Sequence, residues 1–221
     1  MAQATRTSAH TAGLSDDPLE NAADWFTANR KPVLIAVSVV AAVALLIFLS
    51  RSMDASKREK ASAALSQAQI SLETGNPKDA EPGLERVVKN FSGTSAAQQA
   101  ALLLAQVRYD NGKHTEGIAG LESALGSAGE DFKASMEQMI AMGYEAQGKR
   151  DEAAAHYAKA AAAARFDTDK DSYRASQARQ LMAAGKMAEA KVIWEDLLTR
   201  NELAYEREAA IRLGEIAGAT K

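Results

Sequence analysis

The sequence predicts an all-α chain: one apolar transmembrane helix near the N-terminus, then an α-solenoid of about four helical hairpins closed by a C-terminal capping helix. Three observations predict it. Four glycines, Gly75, Gly112, Gly148 and Gly185, recur at spacings of 37, 36 and 37 residues. The chain is rich in alanine, holds only four prolines, and has 5% aromatics, a balance that favours helix over sheet. A run without any charge extends from Val33 to Leu49. A period of this size marks a repeat array in which each unit buries its faces only against its neighbours.

Residues 1–31 form a polar leader. Its first half is rich in Ala, Thr and Ser, a composition of low order. Asp16-Asp17-Pro18 then reads as a helix start, with an Asp cap and Pro in the first turn. Trp25 and Phe26 precede the basic pair Arg30-Lys31 and suit contact with the membrane interface. Residues 32–50 are the transmembrane helix. At about 1.5 Å per residue they span roughly the ~30 Å hydrocarbon thickness of a bilayer. The 31 polar residues ahead of the run, and the poor cleavage site in LIFLSRSMDAS, argue for an uncleaved anchor rather than a signal peptide.

Residues 51–221 form the repeat domain. Each glycine ends one helix and precedes another. Seven residues before it stands an alanine (Ala68, Ala105, Ala141, Ala178). Five after it stands a small residue (Ala80, Gly117, Ala153, Ala190), and nine after it a large one (Leu84, Leu121, Tyr157, Trp194). The small residues let the paired helices approach closely, and the large ones fill the gap to the next unit. Expected helices run over about 58–74 and 77–90, 96–110 and 115–126, 131–147 and 150–165, 171–184 and 187–200, with the capping helix over 202–217. Ser95 is the expected cap of the second hairpin, and the stretch Arg165–Asp171 is expected as a loop whose aspartates cap the next helix. Gly214 falls 36 residues after Ala178, at the small site of a fifth first-helix.

Composition excludes several classes of function. There is no cysteine, so no disulfide, thiolate metal site or cysteine nucleophile. The three histidines lie far apart in sequence, and Asp167, Asp169 and Asp171 lack the Gly and Glu of a calcium loop. No phosphate-binding glycine loop or catalytic motif occurs, so no catalytic residue, metal or cofactor is expected and the chain is read as a non-enzyme. Residues 51–221 carry 23 Lys+Arg against 25 Asp+Glu with no basic stripe, which argues against nucleic acid as a partner. The expected partners are the lipid bilayer and other proteins.

The hairpin unit resembles the tetratricopeptide repeat, with its small residue in the first helix, glycine at the turn and alanine in the second helix. It departs from that pattern where a tryptophan is usual early in the first helix: Ala64, Ala101, Glu137 and Arg174 stand there. The closing proline is missing, and the period is longer than the typical 34 residues. The resemblance implies a peptide-binding groove lined by first-helix side chains. The helical period assigns it to Leu65, Gln69, Leu102, Gln106, Tyr109, Gln138, Met142, Glu145, Arg179 and Met182. Amide, apolar and thioether groups suit adaptable contact with varied chains. With Arg179 as its single cation, this set does not suit a clamp for terminal carboxylates.

The whole layout, a short leader with Asp24-Trp25-Phe26-Thr27-Ala28-Asn29, one span and a divergent repeat domain, resembles the YfgM family of bacterial inner-membrane proteins. That resemblance implies association with the Sec translocon and periplasmic chaperones, a cytoplasmic leader and a periplasmic repeat domain. The charges flanking the span, Arg30 and Lys31 against Arg51, Lys57, Arg58 and Lys60, would by themselves place the repeats on the cytoplasmic side. A role as scaffold or accessory subunit of another membrane complex, for envelope assembly, respiration or photosynthesis, fits the same architecture.

Overall fold

The computed structural model describes residue 22 and residues 25–74, 77–200 and 203–219. It divides into two compact units, Met1–Asp54 and Ala55–Lys221. In the first, residues 25–28 are helical, and helix α1, Arg30–Glu73, follows. Pro32 lies in its first turn, where a missing N–H costs no internal bond. No residue in the apolar run of α1 is buried within the chain. Among the described residues α1 alone has the length and apolarity to cross a membrane. Trp25 and Phe26 are each more than half exposed.

Among its described residues the second unit holds the remainder of α1 and eight further helices: α2 Pro77–Asn90, α3 Ser95–Asp110, α4 His114–Leu125, α5 Glu130–Ala146, α6 Arg150–Ala163, α7 Asp167–Ala183, α8 Met187–Thr199 and α9 Leu203–Ala219. They form the expected hairpins α1/α2, α3/α4, α5/α6 and α7/α8, with α9 in addition. Three turns share one geometry. Gly112, Gly148 and Gly185 have φ of 75°, 73° and 79°, the left-handed region that a Cβ disfavours. The N–H of the following lysine bonds back five residues, Lys113 to the Arg108 carbonyl (2.7 Å), Lys149 to Tyr144 (2.9 Å) and Lys186 to Leu181 (2.8 Å). Each glycine N–H bonds three residues back, which completes a Schellman cap. Gly75, the fourth glycine of the pattern, lies outside the described residues.

The alternation of small and large residues builds the core. Ala68, Ala105, Ala141 and Ala178 are buried, as are Ala80, Gly117, Ala153 and Ala190 opposite them. Leu84, Leu121, Tyr157 and Trp194 are buried in the gaps. One cluster joins Leu65, Ala68, Leu84 and Val87 of the first hairpin to Ala97, Ala100, Leu104 and Val107 of α3. A second joins Ala101 and Ala105 to Ile118, Leu121, Met136 and Ile140. A third gathers Ala154, Ala178, Leu181, Trp194 and Leu197 with Ala209 and Ile216 of α9. Full burial of a leucine such as Leu84 or Leu121 contributes about 2 kcal/mol. The stack is therefore held layer to layer, as a repeat array requires.

Two local expectations are corrected. The cap of α3 is Thr94, whose Oγ1 accepts the Ala97 N–H at 3.2 Å, one residue before Ser95. Gly93, at φ 82°, makes the turn that brings Thr94 into place. The stretch Arg165–Asp171 is helical from Asp167 onward. Phe166 occupies the cap position with no side-chain cap bond, so the aspartates do not cap. Asp167 and Asp169 sit in the first turn, where they complement the helix dipole. Asp171 is buried and pairs with Arg200, the residue that caps the C-terminus of α8, at 3.1 Å.

Candidate functional site

The candidate site is the face of α1, α3, α5 and α7 that carries residues ten, six and three positions before each turn. These lines recur because the 36–37-residue period returns each first helix to the same rotation. Tyr109 shows how neighbouring first helices meet along it. Its hydroxyl donates to the Met139 carbonyl of α5 at 3.0 Å. Its ring occupies space vacated by Gly117 and Gly143, where any Cβ would collide with it. Burial raises the Tyr109 hydroxyl well above the ordinary tyrosine range, with the Glu122 charge adding to the effect. Tyr109 is thus a neutral wedge between two hairpins.

The other expected liners separate by environment. Gln106 is exposed and its amide donates to Asp110 at 2.7 Å. Gln69, Leu102 and Gln138 are half-buried, and Met142 is 42% exposed. These five present amide, apolar and thioether atoms along the face. Leu65, at 5% exposure, sits in the first core cluster, so it packs the hairpin instead of lining a groove. Glu145 accepts the Tyr157 hydroxyl at 3.0 Å and lies 3.8 Å from Arg150. Met182 offers its sulfur to the Trp194 indole N–H at 3.4 Å. Arg179 makes a two-pronged pair with Glu208 of α9, both contacts at 2.7 Å. That pair holds the Glu208 carboxyl below its usual range and commits the one expected cation of the groove.

Several polar networks were not read from the sequence. Arg108 of α3 reaches Glu81 at 3.3 Å, Glu85, and the Glu116 carbonyl at 3.2 Å, so it ties α2 to α4. Lys113 joins the same cluster at 3.1 Å from Glu81, and this contact is the main reason the Glu81 carboxyl is held low. A cavity of about 260 Å³ lies beside Arg108, floored by Val88, Leu104 and Ala105. Gly120 borders it at the register where α8 carries Ile193. His156 contacts Glu137 at 2.6 Å, and its ring stacks on Tyr144 with centroids 5.3 Å apart. Glu137 stands at the register of the missing tryptophan in the third hairpin. Arg174 and Arg200 both bind Asp196, whose carboxyl they hold low, Arg174 most strongly. The side-chain pairs between helices, Arg108–Glu81, Lys113–Glu81, His156–Glu137 and Arg174–Asp196 among them, join residues 19 to 32 positions apart, and no local pattern signals them. Among the described residues no group of three or more His, Asp or Glu side chains is placed to hold a metal ion.

The hairpin geometry and the sequence meet in one comparison. A family model described as a tetratricopeptide repeat-like domain matches residues 23–217. The chain belongs to that family. The tetratricopeptide repeat-like domain is generally a protein–protein interaction module and is typically non-catalytic, and this chain has its all-α repeat array.

Solved structures share the fold at low identity. A set of nearly identical TPR-like repeats from Podosopora anserina is 18% identical, with 72% of this chain and 85% of that one covered and a TM-score of 0.54. A tetratricopeptide repeat protein from Parabacteroides merdae is 14% identical, with a TM-score of 0.58. The match covers 74% of this chain but 61% of that longer protein. Pseudomonas aeruginosa pilF is 18% identical, with 74% and 70% coverage and a TM-score of 0.51. At such identities the fold alone is shared. No curated protein matches this sequence.

Proposed function

We propose that this tetratricopeptide repeat-like protein is a membrane-tethered interaction module that receives polypeptide segments along its first-helix face. The observation that carries the reading is the pairing of two features in one chain. One is an uncovered apolar helix of membrane-spanning length. The other is a repeat face presenting Gln69, Leu102, Gln106, Gln138 and Met142, with Arg179 neutralised by Glu208. A neutral amide can donate and accept at once, so it can engage the main chain of many sequences. A thioether adapts to varied apolar side chains. The full groove of the proposal also takes Tyr109, Glu145 and Met182 as its inner wall.

The resemblance of the layout to the YfgM family supports the finer reading. In it the protein resides in a bacterial inner membrane, with a cytoplasmic leader and a periplasmic repeat domain, and assists translocated or folding polypeptides beside the Sec translocon. Purification of the full chain in mild detergent, followed by mass spectrometry of what accompanies it, tests this. Translocon subunits and periplasmic chaperones are the expected companions. A single stoichiometric partner set of another kind would instead favour an accessory subunit of a different membrane complex, with Trp25 and Phe26 among the contacts. A reporter active only in the periplasm, fused after Lys221, tests sidedness; a silent reporter would overturn the periplasmic placement.

A further inference from the structure

Side chains that meet across the third and fourth hairpins have no counterpart in the second. In the third, Glu137 of α5 and His156 of α6 meet at 2.6 Å. In the fourth, Arg174 of α7 pairs with Asp196 of α8. The 36–37-residue period puts Ala101 at the register of Glu137 and Arg174, Gly120 at that of His156, and Ser123 at that of Asp196. These three are too short to meet. Two adjoining cavities, of about 260 and 330 Å³, lie there between α2 and α4 with α3 as the floor. Val88, Lys89 and Ser123 border both, so the two form one groove.

The two ends of the groove differ in chemistry. The first cavity has an apolar floor of Ala101, Leu104 and Ala105. Its charged wall is already balanced, because Arg108 takes Glu81 and Glu85 while Lys113 also takes Glu81. The second cavity is bordered by hydrogen-bond donors. Gln98, only 7% exposed, accepts the Gly129 N–H at 3.0 Å through its carboxamide oxygen. Its amide N–H donors have no partner among the described residues, and neither have the Ser123 hydroxyl and the Lys89 ammonium. A donor this deeply buried is costly to leave unpaired, so Gln98 marks a position for an acceptor. Lys89 is the one surplus charge on the groove, and it is positive.

We infer that this groove binds a small amphiphilic carboxylate. The apolar body lies against Val88, Leu104 and Ala105, and the carboxylate accepts from Lys89 and the Gln98 amide. Unpaired donors beside a single surplus cation select a monoanion and reject a cationic ligand. An apolar cavity with a few convergent polar groups is the usual build of a small-molecule site. The cavity beside Arg108 has room for one aromatic ring or a short alkyl chain, not for a two-chain lipid. The groove lies between second helices, so it is separate from the first-helix face and does not depend on it.

Equilibrium dialysis of radiolabelled phenylbutyrate against the full chain in detergent micelles, with protein-free micelles as the blank, tests this. One saturable site per chain is expected. Gly120→Ile brings into the groove the residue that α8 carries at that register, and should weaken binding at least tenfold. Its Cβ would come within 3.1 Å of the Arg108 guanidinium, a flexible end that can shift. Lys89→Gln, at an exposed residue without a partner, leaves the fold intact and should weaken binding at least threefold. Uncharged phenylbutyramide should bind the parent more weakly by the same factor and be indifferent to Lys89→Gln. Met142→Ala on the first-helix face should change nothing. Absence of a saturable site, or full binding by folded Gly120→Ile, overturns the inference. So does a parent that holds the amide as tightly as the acid, or a loss of binding in Met142→Ala. A groove that refuses phenylbutyrate but saturates with an acidic aromatic peptide also overturns it, in favour of a protein segment.

Discussion

Alanine in place of glycine should act with opposite sign at Gly148 and at Gly214. Gly148 has φ 73° and an added Cβ would touch nothing within 4 Å, so the whole effect there is backbone strain. Placing an L-residue in the left-handed region costs roughly 1–2 kcal/mol, partly offset by the smaller entropy of the unfolded alanine chain, which leaves about 1 kcal/mol of destabilisation. Gly214 lies inside α9 with ordinary helical backbone and the same open surroundings. Alanine there should stabilise by up to about 1 kcal/mol, the difference in helix propensity. For a chain of this size each change moves the melting temperature by about 2–4 °C, in opposite directions. Thermal melting of both variants in one detergent, followed by the circular dichroism signal of the helices, reads the difference. If Gly148→Ala melts at or above the parent temperature, the left-handed cap is not what holds the turn. If Gly214→Ala lowers it, the open surroundings of Gly214 within α9 are wrongly placed.

Other perturbations probe packing and charge. Ala190→Leu places a large side chain at a fully buried small site and should cost about 1–3 kcal/mol; an unchanged melting temperature would contradict the close approach of α7 and α8. Trp194→Ala removes the largest fully buried side chain and the Met182 contact, and should cost about 3–5 kcal/mol in urea unfolding. The carboxyls of Glu81, Asp196 and Glu208 are held low by Lys113, Arg174 and Arg179 respectively. Their unfolded forms bind protons more readily, so the stability they supply is present above about pH 4–5 and is lost as pH falls through the depressed values. Melts at falling pH should show that loss, and Arg179→Gln should make it smaller; an identical acid profile would remove Glu208 from the account.

The legible parts of this fold are those written in local spacing. Gly112, Gly148 and Gly185 marked the turns because a left-handed residue is a local demand, and the alternation of Ala153 with Tyr157 or Ala190 with Trp194 marked the packed faces. The same spacing placed α9 in register. The start of α7 was misread because Asp167, Asp169 and Asp171 look like loop residues. The reason for a buried Asp171 is Arg200, 29 positions later, which no local pattern could supply. Thr94 rather than Ser95 caps α3 because Gly93 turns the chain one residue earlier. In the candidate groove, the helical period gathered residues onto one face of the first helices, yet it could not tell that Leu65 is core or that Arg179 is held by Glu208. Those outcomes depend on the rotation of each helix against its neighbours.

The central claim is that polypeptide partners bind the first-helix face while the chain is held in a membrane. Purification of the full chain alongside a variant carrying Gln106→Arg and Met142→Arg measures it most directly. Both positions are exposed, so the variant should keep its helix content and melting temperature. The account predicts that the co-purifying proteins fall at least tenfold in quantitative mass spectrometry. Equal recovery from a variant that is folded and membrane-inserted would contradict it.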